Sequence, residues 1–171
     1  MRLVEDQPIF AEHHLTNLQN FFSTPDILSN GLFTTLRHKR WGVVDGGYES
    51  FCDSVVENNW KFFLKRLNRY ILKSAHTKHG KKLQHISVEH KHPTKLLLNH
   101  IHTILVKPAY MSLSSFTEAV IDCWNRTPFG TTGHNHEMFS IRNIYSGGVI
   151  KYQFKDSPNY DSYTLGFHIH K

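Results

Sequence analysis

Leu96-Leu97-Leu98-Asn99-His100-Ile101-His102-Thr103-Ile104-Leu105-Val106-Lys107-Pro108 is an apolar, β-branched run closed by a proline, the pattern of a buried central strand. Two histidines lie inside it at i and i+2. Side chains along a strand alternate between faces, so His100 and His102 share one face and Ile101 takes the other. Two imidazoles side by side can ligate one divalent cation while the apolar face is buried. The chain carries 14 histidines in 171 residues, and a second such pair stands at His168-Ile169-His170. Spacing alone is therefore weak, and the flanking elements decide the reading.

Working outward, Leu83-Gln84-His85-Ile86-Ser87-Val88-Glu89-His90 reads as a strand joined through a short turn with Pro93, giving an antiparallel hairpin with the histidine strand. From Tyr48 to about Ser74 the period becomes 3.6. Val56, Trp60, Phe63, Leu67 and Ile71 make one apolar stripe, while Lys61, Lys65, Arg66, Arg69 and Lys73 mostly fill the other faces as a solvated basic surface. A second helix opens at Ser112, with capping-box spacing at Ser115 and Glu118 and a stripe of Phe116, Val120, Cys123 and Trp124. Gly31 to Arg37 reads as a first strand, followed by the basic cluster Arg37-His38-Lys39-Arg40-Trp41 and a turn-rich loop over 42–47. Phe139 to Tyr145 is a fourth strand, and Val149 to Lys155 a short helix ended by Ser157-Pro158. The order β-α-β-β-α-β-α predicts an α+β, ferredoxin-like sandwich: an antiparallel sheet, helices on one face, the histidine strand central and the second face free for a ligand. Residues 1–30 read as a peripheral segment, 31–157 as the single domain and 158–171 as a tail.

Composition sets bounds. A chain of 171 residues with 39% hydrophobic residues supports one domain with a real core. A net charge of +6 suggests a polyanionic partner. Cys52 and Cys123 fall in helical patterns and read as two buried reduced thiols. With no signal peptide and no apolar run near the ~20 residues of a membrane span, the expectation is a soluble cytoplasmic protein.

Glu89 lies eleven residues before His100 on the partner strand. A carboxylate reaching across to His100 and His102 completes a three-ligand site suited to Mg²⁺ or Mn²⁺, with His90, on the opposite pleat from Glu89, as the competing ligand. Tyr152 and Lys155 share a helix face, and a tyrosine hydroxyl becomes a useful nucleophile beside a cation. Taken in order, Gly31-Leu-Phe-Thr-Thr-Leu-Arg37, Glu89 with His100-Ile-His102, and Ile144-Tyr-Ser-Gly-Gly-Val-Ile-Lys-Tyr152-Gln-Phe-Lys155 resemble three motifs of the rolling-circle replication initiators, the Rep branch of the HUH (histidine, hydrophobic, histidine) endonucleases.

That resemblance implies a metal-dependent enzyme that nicks and rejoins single-stranded DNA through a 5′-phosphotyrosine, starting replication of a plasmid or phage. It implies metal ligands His100, His102 and Glu89, Tyr152 as nucleophile and Lys155 beside it. The partners implied are an origin or hairpin DNA and a host helicase and polymerase, in the cytoplasm of a prokaryotic or phage-bearing cell. Arg37, Lys39, Arg40 and Trp41 are the expected DNA contacts. The chain has one motif tyrosine and no helicase domain. HUH transposases of small insertion sequences rank second. A non-catalytic single-strand-binding module using Phe33, Trp41 and Tyr110 is a further alternative. A two-histidine phosphoesterase, with His14-Leu15-Thr16 and His92-Pro93-Thr94, fits its setting poorly. Tyr145, Tyr160 and Tyr163 rank below Tyr152 as nucleophiles, the last two in an irregular tail, and His168 with His170 reads as part of that tail.

Overall fold

Within the histidine run, residues 100–106 form a strand with a neighbour on each side. The computed structural model describes residues 16–21, 23–50, 52–90, 100–131, 139–144, 146, 148–149, 152 and 163–166. In chain order the elements are α1 (residues 16–21), α2 (Pro25–Asn30), β1 (Gly31–His38), β2 (Trp41–Val44), β3 (Gly47–Ser50), α3 (Asp53–Leu72), α4 (Ser74–His79) and β4 (His85–His90). They continue with β5 (His100–Val106), α5 (Leu113–Asn125), β6 (Gly130–Thr131), β7 (Phe139–Asn143) and β8 (Tyr163–Gly166). The fold is α+β, with a main antiparallel sheet in the order β6-β1-β5-β4-β8. β7 also pairs with β1, following β6 along the same edge: Arg37 and His38 face β6, and Leu32 to Leu36 face β7.

The pleat divides the sheet into two chemically distinct faces. Leu32 and Leu36 of β1 and Ile101 and Leu105 of β5 join the apolar stripes of α3 and α5 in the larger core. Every residue of the expected α3 stripe is buried there, because one helix face has to cover the sheet's apolar rows. Trp124 and Phe63 meet edge to face at a centroid distance of 5.4 Å near the centre of this layer. On the opposite face Ile86, Val88, Ile104 and Val106 pack with Leu18 of α1, Ile27 of α2, Ile144 and Val149. The expectation of a wholly free second face is thereby corrected. The apolar β-strand ends need a cover, and α1 and α2 supply it through Leu18 and Ile27, so these two helices are part of the core. The ends of β4 and β5 that carry histidines lie at the other end of this face.

Several local readings also change. Residues 41–50 form the β2–β3 hairpin, where a loop and the start of a helix were expected. Asp45 (φ 49°) and Gly46 (φ 83°) both take positive φ, as a two-residue primed turn requires. α3 accordingly starts at Asp53, after Cys52. The cap of α5 is Ser112, whose Oγ accepts the Ser115 N–H at 3.1 Å, one turn before the expected capping box. Residues 163–166 form β8 on the edge of β4, where an irregular tail was expected. Neither cysteine is in a disulfide, but Cys52 is exposed and Cys123 alone is buried, its thiol pushed up to about 11 by burial. Among the described residues no helix is long and apolar enough to cross a membrane.

Candidate metal centre

The register of β4 against β5 determines which side chains meet. His90 pairs with His100 and Val88 with His102, whereas Glu89 pairs with Ile101. Directly paired residues of an antiparallel ladder share a face, so His90 joins the two histidines and Glu89 belongs to the helix-covered side with Ile101. The expectation that Glu89 completes the ligand set is corrected: the third imidazole is His90. The rings of His90 and His100 stack at 5.1 Å and 13°. His102 stands edge-on to both, 4.6 Å from each. One ring nitrogen from each histidine lies within 4.8 Å of the other two.

Three imidazoles this close, with His90 and His102 buried, cannot all be protonated without strong repulsion. A shared proton or a bound cation relieves that, and the His100 Nε2 to His102 Nε2 separation is 3.2 Å. His102 is oriented from behind: its Nδ1 lies 3.0 Å from Thr35 Oγ1 on β1, the residue it pairs with across the sheet. When Nδ1 carries the proton and donates to Thr35, Nε2 is left with its lone pair toward the other two rings. The cluster can therefore hold a metal ion on three neutral nitrogen donors.

Gly148, Val149 and Tyr152 are helical after β7, as expected for the tyrosine-bearing segment. The Tyr152 ring lies 5.6 Å from His102 and 5.9 Å from Phe33, and Phe33 lies 5.1 Å from His102. Tyr152 thus reaches the histidine face through ring contacts while remaining half exposed. Arg37 pairs with His100 and so belongs to the same face, half-buried beside the centre. Its carbonyl accepts the Trp124 indole N–H at 3.0 Å, tying the strand end to α5. Lys39 and Arg40 link β1 to β2, with the Lys39 N–H donating to the Phe129 carbonyl at 2.8 Å. Trp41 opens the hairpin and carries the Arg40 guanidinium 5.9 Å from its ring centroid.

Tyr110 is not brought to this site. It follows the far end of β5, where its hydroxyl donates to the Ile71 carbonyl at 3.1 Å. Tyr163 begins β8 opposite Val88. Lys155, Tyr145, Tyr160, His168 and His170, the His92 motif, and His14 and Leu15 of the other motif lie outside the described residues. The residue that sequence reasoning misplaced, His90, is put on the histidine face by the register alone, His90 opposite His100, which no turn signal in the sequence specifies. No family model, no curated protein and no solved structure matches this chain.

Proposed function

We propose that this protein is an HUH-type endonuclease that nicks and rejoins single-stranded DNA through Tyr152, as in the initiation of rolling-circle replication. The observation that carries the reading is Tyr152 against His102, on the face where three imidazoles converge. The strand order β7-β1-β5-β4 with α3 and α5 on one face supports a ferredoxin-like arrangement around the central histidine strand.

In this reading His90, His100 and His102 hold a divalent cation. All-nitrogen ligation suits Mn²⁺ or another transition metal better than Mg²⁺, which favours oxygen donors. Once bound, the ion supplies Lewis-acid polarisation of a phosphate oxygen. Arg37 adds fixed positive charge beside His100, helping to seat the phosphate. The Tyr152 oxygen forms a bond to phosphorus while the bond to the 3′ oxygen breaks. The proton lost by tyrosine is balanced by the one gained at the free 3′ hydroxyl. Because the phosphotyrosine retains a phosphodiester, the reverse attack rejoins the strand without another energy source. Lys155, three residues beyond Tyr152, is the proposed charge partner of the departing or attacking oxygen.

The test uses the full chain with an end-labelled, random-sequence single-stranded DNA library and Mn²⁺. A protein–DNA adduct should survive denaturing electrophoresis, disappear with EDTA and disappear in Tyr152→Phe, which removes only a hydroxyl. An adduct that persists in Tyr152→Phe would overturn the nucleophile. DNA binding with no adduct under any divalent metal would overturn the enzyme reading in favour of a binding module.

A further inference from the structure

We infer that the outer face of the β2–β3 hairpin is a stacking platform for unpaired bases next to the phosphate at the histidine centre; this rests on the nucleic-acid reading above. The hairpin forms its own two-stranded sheet beside the main one. Its inner side is seated closely: a Cβ placed on Gly42 would meet the Pro128 carbonyl oxygen at 2.6 Å and the Phe129 ring at 2.8 Å. Val44, on the same side, packs against the larger core. Trp41 pairs with Ser50 and Val43 with Tyr48, so these four positions share the other side.

That outer side carries an unusual load for so short a hairpin. Trp41 is 53% exposed, Val43 51% and Tyr48 84%. Two rings and a valine left in water on one face suggest a ligand. Charge identifies its class. Glu49 pairs with Gly42 and so belongs to the inner side, and Asp45 sits in the turn. Arg40 lies over the Trp41 ring. A surface of aromatic rings with an arginine at its margin fits base faces and phosphates of a single strand, whereas a duplex hides its base faces.

Continuity with the centre favours the same strand as occupant. Arg37 pairs with His100, and Trp41 is four residues further on, at most ~14 Å of extended chain. A strand with its phosphate at the histidines can therefore reach the hairpin within a few nucleotides.

Tryptophan fluorescence tests this directly, because Trp60 and Trp124 are buried and Trp41 is the exposed indole. Labelled oligothymidylate, added in EDTA so that no cleavage occurs, should quench wild-type fluorescence, and Trp41→Phe should lose the quenching. Trp41→Ala and Tyr48→Ala should each weaken binding about tenfold, within the range for base–aromatic stacking. Tyr48→Phe should bind as wild type, since stacking needs the ring and not the hydroxyl. Far-UV circular dichroism checks that the alanine variants fold, and Trp41→Phe with Tyr48→Phe gives a fold-preserving comparison. Equal quenching by blunt duplex, or unchanged affinity in both alanine variants, would overturn the platform. If wild type still forms the Tyr152 adduct in Mn²⁺, that result leaves the enzyme reading standing. Quenching and affinity loss with no adduct in wild type would instead sink the enzyme reading and leave the platform.

Discussion

At the scale of single residues, the difference between Glu89 and His90 is one step of register. Both could be named from the sequence as candidate ligands, and the alternation of the strand correctly separates them. Which of them shares a face with His100 and His102 depends on whether even positions of β4 meet even or odd positions of β5. The connection between the strands sets that parity, and no turn signal in it specifies the pairing. His90 meets His100, so the two neighbours should behave oppositely toward a cation. By calorimetric titration with Mn²⁺, His90→Ala should lose at least about tenfold in affinity, whereas Glu89→Gln should stay within about twofold. Thr35→Val should weaken binding less than His90→Ala does, since it frees His102 to rotate but removes no donor. If Glu89→Gln is the more damaging change, the register argument is wrong at this site.

Elements were legible in proportion to how periodic they are. The α3 stripe spans five buried positions and was read in full, because a long amphipathic pattern has no strand alternative. The β2–β3 hairpin escaped although Asp45-Gly46 is a strong turn signal, since its strands are four residues each and their outer residues stay exposed. β8 escaped because it is a short edge strand whose pairing depends on a partner far away in sequence. The packing of β4 under α3 carries a consequence that can be titrated. His85 is buried against Trp60 at a ring distance of 6.0 Å, with its Nδ1 3.2 Å from the Leu83 carbonyl. Burial is the main cause of a lowered pKa, helped by nearby Lys82 and opposed by the Leu83 hydrogen bond. A histidine depressed in the folded state binds its proton more readily when unfolded, so stability rises with pH across the window. The His85 contribution is complete above 6.5, the ordinary histidine value, and is lost as pH falls from there through the depressed value. Urea unfolding of wild type and His85→Gln should therefore show a stability difference that is flat above about pH 7 and shifts against wild type below it. A difference independent of pH down to pH 5 would remove His85 as the titrating group.

Across the whole molecule, the alternation of strands and helices was enough to predict an antiparallel α+β sheet with the histidine strand inside it. It was not enough to predict that α1 and α2 would cover part of the second face, since apolar residues such as Leu18 and Ile27 show no partner until the sheet is assembled. That cover leaves positive charge on two opposite sides of the protein. Arg37 lies on the histidine face and Arg40 at the start of the hairpin, while Lys65 and Arg69 are exposed on α3, which covers the other face of the sheet. The net charge of +6 favours a polyanion on either side, so charge alone does not choose between them. The salt dependence of binding does. Each phosphate neutralised on a single strand contributes about −0.7 to the slope of log affinity against log salt, because bound counterions are released. With labelled oligothymidylate in EDTA, Arg40→Gln should make that slope shallower by about 0.7, the contribution of one lost phosphate contact. Lys65→Gln and Arg69→Gln should leave it unchanged, since a strand seated at the histidine face does not cross to α3. If the α3 variants flatten the slope and Arg40→Gln does not, the nucleic acid rides on the helical side, and the histidine centre serves a chemistry other than strand nicking.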